Sequence, residues 1–152
     1  MKYFSSALLL VCASTAFAGV GAGYPKEHVA EFVVEKLDVT SLPEALWPRR
    51  EKGKKTFRDY GFVASLSQEN EFLLQAPGGK SNYSVKILQS NDSGIYACVA
   101  ERSSANKEVS FQRVMLLRHK SPSDLLKGRE SFRQFEGCVN IGDDPDVSPY
   151  GG

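Results

Sequence analysis

The chain has 152 residues, with 19 Lys and Arg against 18 Asp and Glu, for a formal net charge of +1. That length suits one domain with its own core. The near-balanced charge excludes a global field that would draw the chain to nucleic acid or to a membrane surface.

Residues 1–18 read as a secretory leader. Lys2 is the only charge before residue 26, an apolar run follows from Ala7 to Ala13, and the segment closes on Ala16-Phe17-Ala18, with small residues at both positions that a signal peptidase reads. The run is broken by Ser14 and Thr15, short of the about 20 apolar residues of a membrane span. A lipid-bearing Cys12 is the second reading, but Leu10-Val11 supplies no small residue before it. Cleavage leaves 134 of the 152 residues, near neutral in charge, and no later segment is apolar and long enough to span a membrane. The expected location is the periplasm or the extracellular medium.

Cleavage also removes Cys12 and leaves Cys98 and Cys138. In an oxidising compartment those two have a single intramolecular pairing open to them. A redox or metal pair is the alternative, but there is no C-x-x-C, and His28 and His119 lie far from both cysteines in sequence.

Taken in chain order, Pro25-Lys26-Glu27 opens a helix in which Val29, Phe32, Val33 and Leu37 share a face. A β-branched strand through residues 31–35 is the rival reading, and the pattern does not separate the two. Residues 42–48 are bounded by Pro43 and Pro48 and form a short turn at most. Residues 49–58 carry six cations against Glu51, on a loop that contains Gly53. Residues 56–61 suit one helical turn, capped by Thr56 and ended by Gly61. Strands follow at 62–66, 71–75, 83–88, 95–100 and 109–117, separated by polar turns that include Pro77-Gly78-Gly79 and Asn91-Asp92-Ser93-Gly94. Ser121-Pro122-Ser123-Asp124 reads as a helix start for residues 125–127, and residues 131–135 lead as strand or turn to Cys138. The expected fold is α+β and mostly β: an antiparallel meander of about five strands with one or two short helices and one disulfide. It would occupy residues 19–141, with a flexible acidic tail over 142–152.

Asp92-Ser93-Gly94-Ile95-Tyr96-Ala97-Cys98 resembles the D-x-G-x-Y-x-C motif of immunoglobulin-type domains. The resemblance implies a two-sheet sandwich with Tyr96 at a tyrosine corner and Cys98 as the second cysteine of the inter-sheet bridge. It covers about 16 residues of a family domain of about 100. The mature chain departs from it in having no cysteine before Cys98, and Trp47 is followed by Pro48 rather than by a strand. A tight turn before a buried strand accounts for the same residues.

No nucleophile elbow, H-E-x-x-H, phosphate-binding loop or dinucleotide fingerprint is present, and no metal or cofactor is expected. His28 and His119 read as solvated or edge residues. Glu69, Glu71, Asp92, Glu101, Glu108, Glu130 and Glu136 could supply a carboxylate pair for a small hydrolase, although most of them fall in turns. Asp143, Asp144 and Asp146 lack the glycine and distal glutamate of a calcium loop. The strongest functional candidate is a basic aromatic surface on Trp47, Arg49, Arg50, Lys54, Lys55, Phe57 and Tyr60, because cations and aromatic rings together carry much interface affinity. A solvated loop is the plain alternative. The reading that follows is an exported bacterial binding protein that occludes a protein partner or an anionic cell-wall surface, in the manner of a cell-wall hydrolase inhibitor or a toxin immunity protein. An immunoglobulin-like extracellular recognition module is the second reading, in which Asn82 and Asn91 would be glycosylation sites in a eukaryotic host. A small periplasmic hydrolase is the third.

Overall fold

The computed structural model describes residues 23–46, 48, 50–79, 81–105 and 108–142. Residues 1–18, expected to be a leader, and residues 143–152 of the expected tail lie outside the described residues.

Of the two readings for the N-terminal segment, the helix is found: α1 spans Val29–Lys36. A strand would place Val33 on the same side as Glu31 and Glu35. The helix instead buries Val29, Ala30, Val33 and Val34 while leaving Glu31 and Glu35, four residues apart, in water. Lys36 in its last turn complements the negative end of the helix dipole. The helix stops at Leu37, whose backbone is extended and whose N–H still reaches Val33 O.

That extension begins β1 (Leu37–Asp38), followed by 3-10 turns at Val39–Ser41 and Glu44–Leu46. Six further strands follow: β2 (Val63–Gln68), β3 (Glu71–Gln75), β4 (Ser81–Asn91), β5 (Gly94–Ser103), β6 (Val109–Arg118) and β7 (Leu126–Glu130). They form one sheet in the order β1-β7-β6-β5-β4-β3-β2. From β2 to β7 the sheet is an antiparallel meander; β1 then joins β7 in parallel, pairing Leu37 with Leu126 and Asp38 with Lys127. The domain is therefore mostly β with one α-helix, as expected, but its sheet is seven-stranded and mixed rather than five-stranded and antiparallel.

Both added strands meet on the segment expected to be helical. The Asp124 carboxylate accepts a hydrogen bond from the Ser121 N–H at 3.1 Å, and the Asp124 N–H donates to Ser121 O at 3.0 Å. The polar run thus closes a turn on itself instead of capping a helix. Beyond it the chain extends, and Gly128 passes so close to Leu42 that a Cβ there would lie 2.9 Å from the Leu42 side chain.

One face of the sheet carries the core. Leu74, Val85, Ile95, Ala97, Val99, Met115, Leu117 and Leu126 pack there against α1 and against Leu37, Leu42, Leu46 and Phe57. Burial pushes the Tyr83 hydroxyl on the same face up to about 12, with the Glu101 carboxylate adding to the rise. On the opposite face Cys98, Val114 and Cys138 are buried together, with Leu88, Tyr96 and Phe135 packed against them. The C-terminal segment crosses it there. Cys98 of β5 is bonded to Cys138, the expected disulfide, with Cα atoms 5.9 Å apart. The Phe135 ring packs tilted against Tyr96 at 5.2 Å, and Ile141 pairs with Gln112 through two 3.0 Å backbone hydrogen bonds.

The two-sheet sandwich implied by the immunoglobulin resemblance is not the architecture found. Asn91 pairs with Gly94 across the β4–β5 hairpin, and the Asn91 side chain accepts the Ser93 N–H at 2.9 Å. The resembling motif is therefore a hairpin turn followed by the start of a central strand, and its cysteine bonds downstream.

Candidate functional site

The basic loop is anchored from both ends and from within. The Val39 N–H donates to Lys55 O at 2.8 Å, and the Phe62 N–H donates to Phe57 O at 3.0 Å. Between these ties the Asp59 carboxylate accepts the Thr56 and Lys55 backbone N–H groups at 2.8 and 2.9 Å, and Thr56 Oγ1 accepts the Asp59 N–H at 3.2 Å. Those two backbone donors, Thr56 first, hold the Asp59 carboxyl below its ordinary 3.8. The turn ends at Gly61, whose φ of +76° suits glycine.

Within this frame the expected surface residues divide. Phe57 is 1% exposed, its ring 5.3 Å from Phe62 and 5.8 Å from Tyr83. Tyr60 is also buried, and its hydroxyl accepts the Glu51 N–H at 3.2 Å. Both rings are therefore anchors of the loop. Lys54 is half-buried, its Nζ 2.8 Å from Glu51 and 5.4 Å from the centre of the Tyr60 ring. Arg50 and Lys55 are exposed, as are Lys52 and Arg58 in the same loop. Trp47 and Arg49 lie outside the described residues.

Lys55 also lines a cleft of about 580 Å³ with Asp38, Arg118, His119, Lys120, Asp124, Leu125 and Lys127. Four separate segments meet there: β1, the basic loop, the end of β6 and the turn into β7. Asp38 is 1% exposed and accepts the Thr40 N–H at 3.0 Å, the Thr40 hydroxyl at 2.6 Å and the Lys127 ammonium. Burial pushes the Asp38 carboxyl up, but the hydrogen bonds from Lys127 and Thr40 outweigh it and hold the group below 3.8. A depressed folded-state pKa contributes stability above the unfolded value of about 3.9 and loses it as pH falls through the folded value. We expect Asp38→Asn to cost about 1–2 kcal/mol at pH 7, since it removes a charged cap. Urea unfolding of both proteins should show that gap narrowing as pH drops below 3.8. A gap independent of pH would mean that the carboxylate charge contributes nothing.

His119 is neither solvated nor at an edge. It is 9% exposed, its ring lies tilted 4.6 Å from Tyr24 and stands edge-on to Phe32 at 6.5 Å, and among the described residues neither ring nitrogen has a hydrogen-bond partner. The run Arg118-His119-Lys120 is the sequence signal that could have pointed here. His28, by contrast, is exposed, with Nδ1 3.9 Å from Glu31.

Of the candidate carboxylates, Glu71 lies 3.9 Å from Arg102, and Glu130 lies 2.9 Å from Arg113. Among the described residues, no three His, Cys, Asp or Glu side chains gather as a metal site, and no helix is long and apolar enough to cross a membrane. Comparison with protein-family models, with curated proteins and with solved structures finds no match.

Proposed function

We propose that the chain is an exported binding protein that acts by occlusion, blocking an anionic or acid-lined partner such as a cell-wall hydrolase. The observation that supports this most directly is the construction of the basic loop. Its rings are fixed in the core and its carboxylate is turned back on its own backbone, so Arg50, Lys52, Lys55 and Arg58 stand outward on a stiff support. A preordered cationic loop loses little entropy on binding and is steered toward negative charge. Glycosidase clefts carry paired carboxylates at their centre, which makes them a fitting target. The Cys98–Cys138 bond agrees with an oxidising compartment, and the periplasm or the extracellular medium is the location proposed.

The test is inhibition of peptidoglycan clearing by a panel of purified muramidases and transglycosylases. The wild-type protein should inhibit at least one of them stoichiometrically at micromolar concentration. The combined variant Arg50→Glu, Lys55→Glu, Arg58→Glu should weaken that inhibition about a hundredfold, because like charges then face each other across the contact, while its circular dichroism stays unchanged. Failure of the wild-type protein against the whole panel would remove the hydrolase target; full inhibition by the variant would remove the loop.

A further inference from the structure

The cleft beside the loop has a chemistry of its own. Its walls carry Lys55, Arg118, Lys120 and Lys127 against Asp38 and Asp124, an excess of two positive charges. Both carboxylates are already engaged, Asp38 by Lys127 and Thr40 and Asp124 by the Ser121 N–H. Lys55 and Lys120 have no carboxylate partner among the described residues. Arg118 is held in place by a hydrogen bond from Nε to Ser93 O at 2.6 Å. The His119 imidazole, which also lines the cleft, is nine-tenths buried, and neither ring nitrogen has a hydrogen-bond partner among the described residues, which singles it out among buried polar groups.

We propose that this cleft binds a phosphate monoester. A phosphate monoester carries close to two negative charges at neutral pH and three acceptor oxygens, which matches the excess charge and the several separate donors. A single carboxylate would leave half of that charge unanswered. A cleft of about 580 Å³ exceeds what a phosphate group needs and lies in the range of small-molecule sites, so there is room for the organic part against Leu125 and the lysine stems. The inference shares Lys55 with the occlusion reading but does not depend on it, since Arg118, His119, Lys120 and Lys127 lie outside the basic loop and Lys120→Gln tests the cleft alone.

Calorimetry and nitrogen-15 spectra of the His119 ring, with glucose 6-phosphate, inorganic phosphate and glucose as probes, provide the test. Glucose 6-phosphate should bind saturably and shift the His119 ring nitrogens, and glucose should not bind. Lys55→Gln and Lys120→Gln should each weaken binding about tenfold, and Lys86→Gln on the opposite face should not. His119→Phe keeps a ring against Tyr24 and Phe32 and should weaken binding without loss of folding. Tighter binding of the ester than of inorganic phosphate supports the proposal. Equal affinity for the two would overturn the ester assignment in favour of free phosphate. Absence of saturation, or binding untouched by Lys120→Gln and silent at His119, would overturn the site itself.

Discussion

Replacing both cysteines, as Cys98→Ala with Cys138→Ala, is expected to lower the unfolding free energy by about 4 kcal/mol. The bridge closes a 40-residue loop, and the chain-entropy model assigns such a loop a value between those of its 15- and 100-residue cases, about 3 and 4.7 kcal/mol. Alanine is preferred to serine because both sulfurs sit in an apolar cluster with Val114, Tyr96 and Phe135, where an unpaired hydroxyl would add a separate cost. Net stabilities run about 5–15 kcal/mol, so the loss is a large fraction of the whole. Urea midpoints measured for the oxidised protein, the reduced protein and the variant check it. Limited proteolysis should find the variant cut first in residues 131–142, since without the bridge that segment keeps the Phe135 ring contact, the Ile141 pairing and a few side-chain hydrogen bonds. Coincident midpoints for all three would show that the bridge adds nothing.

The second large effect falls on Phe57→Ala. Truncating a fully buried phenylalanine costs about 3–5 kcal/mol through lost transfer energy and the cavity that remains. A domain of this size falls between the about 4–8 °C per kcal/mol of smaller domains and the about 2–4 °C of larger ones, so the thermal midpoint should fall by roughly 10–20 °C. The consequence reaches the candidate surface, because Phe57 ties the loop to Phe62 and Tyr83 of the core. Amide exchange of residues 52–60 should therefore quicken by more than the global loss of stability explains. A drop within a few degrees, with unchanged loop protection, would mean that Phe57 is a replaceable filler.

The sequence was legible where structure is decided locally. Tyr83-Ser84-Val85-Lys86-Ile87 alternates as a strand with one wet face should, Asn91 to Gly94 carries turn chemistry, and counting cysteines leaves Cys98 one partner. It was opaque where structure is decided at a distance. Leu126-Lys127-Gly128-Arg129-Glu130 holds one large apolar residue and a glycine, and nothing within it spells a strand. It extends because β6 offers a ladder on one side and Leu42 leaves room only for glycine at position 128. The two-residue β1 has no local pattern at all, since it exists only by pairing with residues 89 positions away. The site divides in the same way. The charge of residues 49–58 is visible in the sequence, but which rings turn inward is set by the core. The cleft draws residues from four segments that no window of the chain contains.

The clasp between β1 and β7 bears on when the molecule can become itself. Leu37 pairs with Leu126, the Ser41 hydroxyl accepts the Gly128 N–H at 2.7 Å, and Lys127 reaches back to Asp38. A segment near the start of the fold is thus locked by one 89 positions further along the chain. Until residue 126 has been made, β1 has no strand to pair with and β6 keeps an open edge, so the sheet can close only once that late segment is in place.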